Sequence, residues 1–148
     1  MKKLLILLSV VSIILSCSKK EDDNIPAQIP VNYKTVSGKW YFSQVIMPDG
    51  SIVAHTGICP AQRDYVTITE YPKINSAIYY SDCLSYDTSG CIDFYLNSNT
   101  KIISSCNTLF NGTITELTDS KMRIDYGSTK HVYVSTIGNA NGVIFSRL

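Results

Sequence analysis

The residues of this chain with the most definite chemistry are its cysteines. Beyond residue 50 there are four of them: Cys59, Cys83, Cys91 and Cys106. The chain opens on Lys2 and Lys3, followed by an apolar run from Leu4 to Leu15 broken only by Ser9 and Ser12. That is the pattern of a secretory signal, too short for a spanning helix, which needs roughly 20 apolar residues. In an exported chain an even set of thiols argues for disulfides. The favoured pairing is Cys59–Cys83 with Cys91–Cys106. Each bridge closes a loop of moderate length and joins segments that read as sequential antiparallel strands. The other pairings stay open. A zinc or redox site is the rival chemistry, but no Cys-x-x-Cys is present and His55 and His131 stand far from the cysteines. No metal or cofactor is expected.

Other reactive groups are sparse. No nucleophile elbow, phosphate loop or dinucleotide glycine pattern occurs. Asp82, Asp87 and Asp93 surround one turn, but Cys91 and a strand start interrupt the oxygen spacing that calcium needs. His55, in the polar 51–63 connection, reads as a solvent-exposed loop histidine. His131 reads as an exposed strand residue beside Lys130. The residues therefore predict no enzyme. Tyrosine is the type most open to a binding role. Tyr79, Tyr95, Tyr126 and Tyr133, with Tyr80 and Tyr86, are the candidates to line a ligand cavity, apolar walls ending in a hydroxyl. The alternative is that they fill a small core or flank the sheet.

The apolar run ends Ile14-Leu15-Ser16-Cys17. An apolar residue at −3 and a small residue at −1, just before a cysteine, resembles the lipobox of bacterial lipoproteins. The resemblance implies that residues 1–16 are removed and that Cys17 carries a diacylglycerol and becomes the mature N-terminus. The segment that follows, Ser18-Lys19-Lys20-Glu21-Asp22-Asp23-Asn24 with Pro26 and Pro30, cannot bury apolar surface. Residues 17–35 are expected to form an extended tether. The charged run after Cys17 resembles the surface-export signals of Bacteroidetes lipoproteins. The expected location is the bacterial outer membrane, lipid-anchored and displayed outward. Removing residues 1–16 deletes Lys2 and Lys3 and no acid, so 13 basic and 12 acidic residues become 11 and 12, a net charge of −1. Nucleic-acid binding has no electrostatic footprint here.

Beyond the tether, Tyr, Thr, Ser, Ile and Val dominate, and helix formers are thin, an all-β composition. Strands are expected at 38–47, 64–71, 75–83, 91–96, 101–106, 113–117, 121–126, 130–136 and 142–147, with a turn at Asp87-Thr88-Ser89-Gly90 and a hairpin signal at Asn111-Gly112. Met122, Ile124 and Tyr126 alternate with Lys121, Arg123 and Asp125, one face buried and one wet. Short strands with tight turns predict a single all-β domain over 36–148: a small antiparallel up-and-down β-barrel of about eight strands. No helix of useful length is expected.

Gly38-Lys39-Trp40 at the start of the first strand resembles the Gly-x-Trp signature of lipocalins. Ile114-Thr115-Glu116-Leu117-Thr118-Asp119-Ser120-Lys121-Met122-Arg123-Ile124 resembles the late hairpin of lipocalin-like domains in Bacteroidetes lipoproteins. Arg147 ends the last strand, as in many of them. The middle-strand Gly-Thr-Trp of those domains is replaced by Gly90-Cys91-Ile92. The resemblance implies a lipocalin-like barrel with Gly38, Trp40 and Arg147 as its structural signature. Trp40 would plug the closed end, with Arg147, or failing that Arg123, across its ring. It also implies a small apolar or amphipathic ligand. The alternative is a cell-surface module with a filled barrel that binds protein or glycan. The partners expected are the membrane, through the lipid, and such a ligand. The chain is expected to be a monomer.

Overall fold

The computed structural model describes residues 26–70, 73–84, 86–91, 94–97, 100–104, 110–127, 132–134 and 138–148, with backbone alone for 86–91, 94, 132–134 and 138. One short helix, α1 (Tyr33–Val36), precedes the strands. These are β1 (Gly38–Ile46), β2 (Ile52–Ala54), β3 (Tyr65–Thr69), β4 (Lys73–Tyr79), β5 (Tyr86–Cys91), β6 (Phe94–Asn97), β7 (Lys101–Ser104), β8 (Gly112–Leu117), β9 (Lys121–Asp125), β10 (Val132–Val134), β11 (Gly138–Ala140) and β12 (Gly142–Ser146).

The strands pair in the order β5-β4-β3-β1-β12-β9-β8-β7-β6, with β2 added beside β1 and β10–β11 forming a separate hairpin. Every pairing on this path is antiparallel. The two ends of the path, β5 and β6, are consecutive in sequence, and Cys91 and Phe94 lie within about 11 Å of each other by chain length alone. An even number of antiparallel steps separates β5 from β6, so the two run in the same direction. They act as two segments of one stave, the first held by β4 and the second by β7. The sheet must curl to bring its ends together. The result is an all-β, barrel-like meander of eight staves, in agreement with the fold class expected from composition and turn spacing.

Period-two burial explains the curl. Trp40 and Phe42 of β1, Val66 and Ile68 of β3, Met122 and Ile124 of β9 and Val143 and Phe145 of β12 point inward. They join Val45, Ile74, Ile102, Phe110, Ile114, Leu117 and Tyr126 in one core. Removing that apolar surface from water supplies the main driving force, about 25 cal/mol per Å². Gly142, opposite Asp125, brings β12 close to β9: a Cβ there would lie 2.6 Å from the Ile124 carbonyl oxygen.

Three local expectations are corrected. First, the Asp87–Gly90 turn lies within β5. The reversal comes earlier, at 80–84, where the Cys83 N–H donates to the Tyr80 carbonyl and the Leu84 N–H to Asp82 Oδ1. Asp82 supplies the local acceptor that stabilises a turn, and Cys83 adopts a φ of +59°. Second, the 51–63 connection begins with a short strand, β2, laid on β1. Third, the packed chain begins before residue 36. The Ile29 N–H donates to the Leu117 carbonyl, Ile29 and Val31 pack on the core, and Val36 is fully buried. Asn32 caps α1 in a reciprocal box with Thr35, the Asn32 side chain accepting from the Thr35 N–H at 3.0 Å and the Thr35 hydroxyl from the Asn32 N–H at 2.9 Å. Residues 29–35, read from sequence as tether, are thus docked by their few apolar side chains. Residues 1–25, including the signal sequence and Cys17, lie outside the described residues.

Candidate functional site

The site arises from a break in β1. The register of β1 against β12 shifts between Phe42 and Gln44. Up to Tyr41, β1 pairs with β3; from Gln44 on, it pairs with β2. At the bulge the Phe42 N–H donates to the Asp64 carbonyl, and the Ser43 carbonyl accepts from the His55 N–H. The chain between β2 and β3 must therefore leave the wall as a loop and return beside Phe42.

Asp64 anchors that return. Its Oδ2 lies 2.9 Å from His55 Nε2, and its Oδ1 accepts from the Tyr79 N–H at 2.9 Å. Both side chains are buried, His55 at 4% and Asp64 at 2% exposure. One carboxylate thus joins the loop, β3 and β4. Gly57 passes close to it, and a Cβ at Gly57 would lie 3.3 Å from Oδ2. The loop is tied a second time by the Cys59–Cys83 disulfide, with Cα atoms 5.1 Å apart, which reaches across to the β4–β5 turn. Cys59 Sγ also accepts from the Gln62 N–H at 3.1 Å.

Within this frame lies a cleft of about 310 Å³. Buried Phe42 and Cys59 form its apolar part, and the loop from His55 to Asp64 its rim. The His55 ring packs on Phe42 at 5.2 Å between centroids. Phe42 meets Phe145 at 4.8 Å, and Phe145 stacks on Phe110 at 5.8 Å. An aromatic column therefore runs from the cleft into the core. His55 Nδ1 is buried and has no hydrogen-bond partner among the described residues. A carboxylate only accepts, so Nε2 carries the proton that Asp64 holds, and in the neutral ring Nδ1 is a bare acceptor. Such an oriented imidazole can accept a hydrogen bond through Nδ1.

The expected exposed His55 is therefore corrected: the bulge turns it inward onto Phe42 and Asp64. Nothing local in the sequence pairs His55 with Asp64, nine residues away. The available signal was the apolar triplet Ile52-Val53-Ala54 before His55, which marks a short strand rather than a free loop.

Near the start of β1, Arg147 Cζ lies 3.7 Å from the Trp40 ring centroid. Its Nη2 donates to the carbonyls of Ser37 at 2.5 Å and Thr35 at 3.0 Å. The Trp40 indole N–H donates to the Val36 carbonyl at 2.8 Å. Gly38, with φ of +126°, passes beneath the guanidinium, where a Cβ would lie 3.3 Å from Nη2. Burial lowers the pKa of Arg147, and Asp119 opposes this. Arg147, not Arg123, covers the indole; Arg123 donates to Asp125 at 2.9 Å.

The tyrosines divide differently from expectation. Tyr79 lies on the outer side of β4, its ring 6.4 Å from Tyr65, which in turn meets Tyr41 at 6.1 Å. Ile74, Ser76 and Ile78 take the inward positions of β4, so Tyr79 does not line the interior. Tyr95 is 57% exposed, because Leu96 takes the inward position of β6. Tyr126 is buried within the core, and its phenol pKa is raised by burial and by Asp125. The side chains of Tyr133 and Cys91 and the whole of Cys106 and His131 lie outside the described residues.

Compared with family models, with curated proteins and with solved structures, the chain finds no match.

Proposed function

We propose that this chain is a lipid-anchored outer-membrane protein whose lipocalin-like domain binds a small amphipathic ligand, held in the loop cleft at 55–64 rather than inside the barrel. The observation that carries the reading is the cleft itself. It is about 310 Å³ and joins an apolar part, Phe42 and Cys59, to a polar rim containing Thr56 and Gln62. That volume is at the low end of ligand sites, which run from roughly 300 to 1,000 Å³. The described inward side chains pack into one core, so the lumen is the weaker candidate. The anchor rests on Ile14-Leu15-Ser16-Cys17. Two or more acyl chains, at about 0.8 kcal/mol per buried CH₂, hold a protein stably on a bilayer.

A second reading, a surface module for protein or glycan, draws on the outer row of Tyr41, Tyr65 and Tyr79. Lys39 lies 3.6 Å from the Tyr65 centroid and Arg63 4.9 Å from that of Tyr41. Native mass spectrometry of protein purified from its own host separates the two. A reproducible small-molecule adduct supports the ligand reading; its repeated absence supports the surface module. For the anchor, Cys17→Ser should leave the protein unprocessed or release it from membranes. A Cys17→Ser protein that is cleaved and membrane-bound as before overturns the anchor.

A further inference from the structure

We infer that the cleft takes a compact, neutral ring molecule whose hydroxyl group donates a hydrogen bond to His55 Nδ1. The inference rests on the ligand-binding reading and names the chemistry of its site. His55 lines the cleft, and its Nε2 is committed to Asp64. Asp64 cannot turn to release it, because its second oxygen holds the Tyr79 N–H. The polar atom left on the ring is Nδ1, buried and without a partner among the described residues. In the neutral ring with its proton on Nε2, that atom accepts and does not donate. A ligand hydroxyl supplies the missing donor. The nitrogen is shielded from solvent, so entry requires a small local shift of the loop or the ring.

The remaining walls select the rest of the molecule. The Phe42 ring favours a flat or ring-shaped apolar face. Thr56 and Gln62 leave too little apolar wall for a long acyl chain. Arg63 and Asp64 line the cleft with opposite charges, so neither a net anion nor a net cation is favoured. A phenol and a monosaccharide both offer a ring hydroxyl, and the experiment separates them.

The test uses the lipidated full-length protein in detergent micelles with ¹⁵N-labelled histidine, titrated in turn with phenol, anisole and glucose. The Nδ1 resonance of His55 is the readout, since a new hydrogen bond to that nitrogen moves it and partition into the micelle does not. Phenol or glucose should move it, and the responding arm names the ring class. Anisole, which keeps the ring and lacks the donor, should bind on the order of tenfold more weakly than phenol. His55→Gln keeps an N–H toward Asp64 but replaces the fixed ring nitrogen by an amide oxygen in a different place, and should weaken binding with the amide spectrum retained. An anisole response equal to that of phenol overturns the inference, as does silence from both phenol and glucose. These arms use the unaltered protein, so a His55→Gln variant that fails to fold does not blunt them. If native mass spectrometry finds a host ligand while neither arm touches His55, the inference fails and the broader reading stands. If no ligand is found by either route, both fail.

Discussion

Near the start of β1 an arginine lies on a buried indole, and at its middle a histidine lies on a buried phenylalanine. The two places share a motif, a nitrogen-bearing side chain packed against an aromatic ring of the core. They differ in what the nitrogens meet. Arg147 Nη2 is held by two main-chain carbonyls, and the Trp40 N–H by a third. Those partners come from 35–37, only a few residues from Trp40 in sequence, so the indole and the guanidinium are held by the backbone at the C-terminal end of α1. His55 is held by one side chain, Asp64, in a loop that leaves the sheet and is tied back by a disulfide. Its other nitrogen is unpartnered among the described residues. The first arrangement commits Nη2 and the indole N–H to backbone carbonyls and leaves a donor, Arg147 Nε, without a partner among the described residues; the second leaves an acceptor, on a residue that lines the cleft.

Damage at the two places should therefore separate. Trp40→Ala should cost the most, about 3–5 kcal/mol, as expected for emptying a fully buried aromatic position. A denaturant midpoint measured on the folded fraction would register it, with the His55 resonances unchanged. A large change at His55 would mean that the two regions are one cooperative unit. Replacing both Cys59 and Cys83 by alanine should cost about 2–4 kcal/mol, since the bridge closes a loop of sequence separation 24. The difference from Trp40→Ala is where the loss falls. Amide exchange should quicken at 55–64 before it does in β9 or β12, and uniform quickening would contradict the separation.

Arg147→Lys comes next, at about 1–2 kcal/mol, because a lysine keeps the charge but not the planar stack or the paired donors. Thermal unfolding at two salt concentrations checks it: a loss that vanishes at high salt would make Arg147 a simple charge and not a lid. The smallest effect belongs to the exposed turn at Asp49. Hydrogen bonds from the Ser51 hydroxyl and N–H lower its pKa below 3.8. A depressed acid stabilises the fold above its unfolded pKa, and the contribution fades as pH falls through the lower folded value. Asp49→Asn should therefore trim acid sensitivity only slightly, in a window below about pH 4. A strong effect there would show that a surface turn rivals the buried sites.

Much of the architecture is written in local pattern. The alternation of Met122, Ile124 and Tyr126 with Lys121, Arg123 and Asp125 is enough to place β9 and choose its inner face, and Gly38 with Trp40 marks the start of β1. The cysteines at 59 and 83 pair as their even number and spacing suggested. Where reading failed, long-range pairing outweighed a local signal. Asp87–Gly90 has the residues of a turn, yet β4 offers a full row of partners there and the turn forms at 80–84 instead. Tyr79 and Tyr95 have the composition of cavity walls, yet a side chain's face is set by register, and register turned both outward.

By itself the sequence determined an all-β composition and a series of short alternating segments separated by turn signals, and it favoured the pairing of Cys59 with Cys83. These follow from properties a few residues carry alone: hydropathy period, turn chemistry, thiol count. The meeting of His55 with Asp64 and Phe42 was decided only in the folded molecule. It depends on a one-residue shift of register in β1, which moves the partner of that strand from β3 to β2 and sends the intervening chain out and back. A bulge is a compromise between strands distant in sequence, and no local run of residues records it.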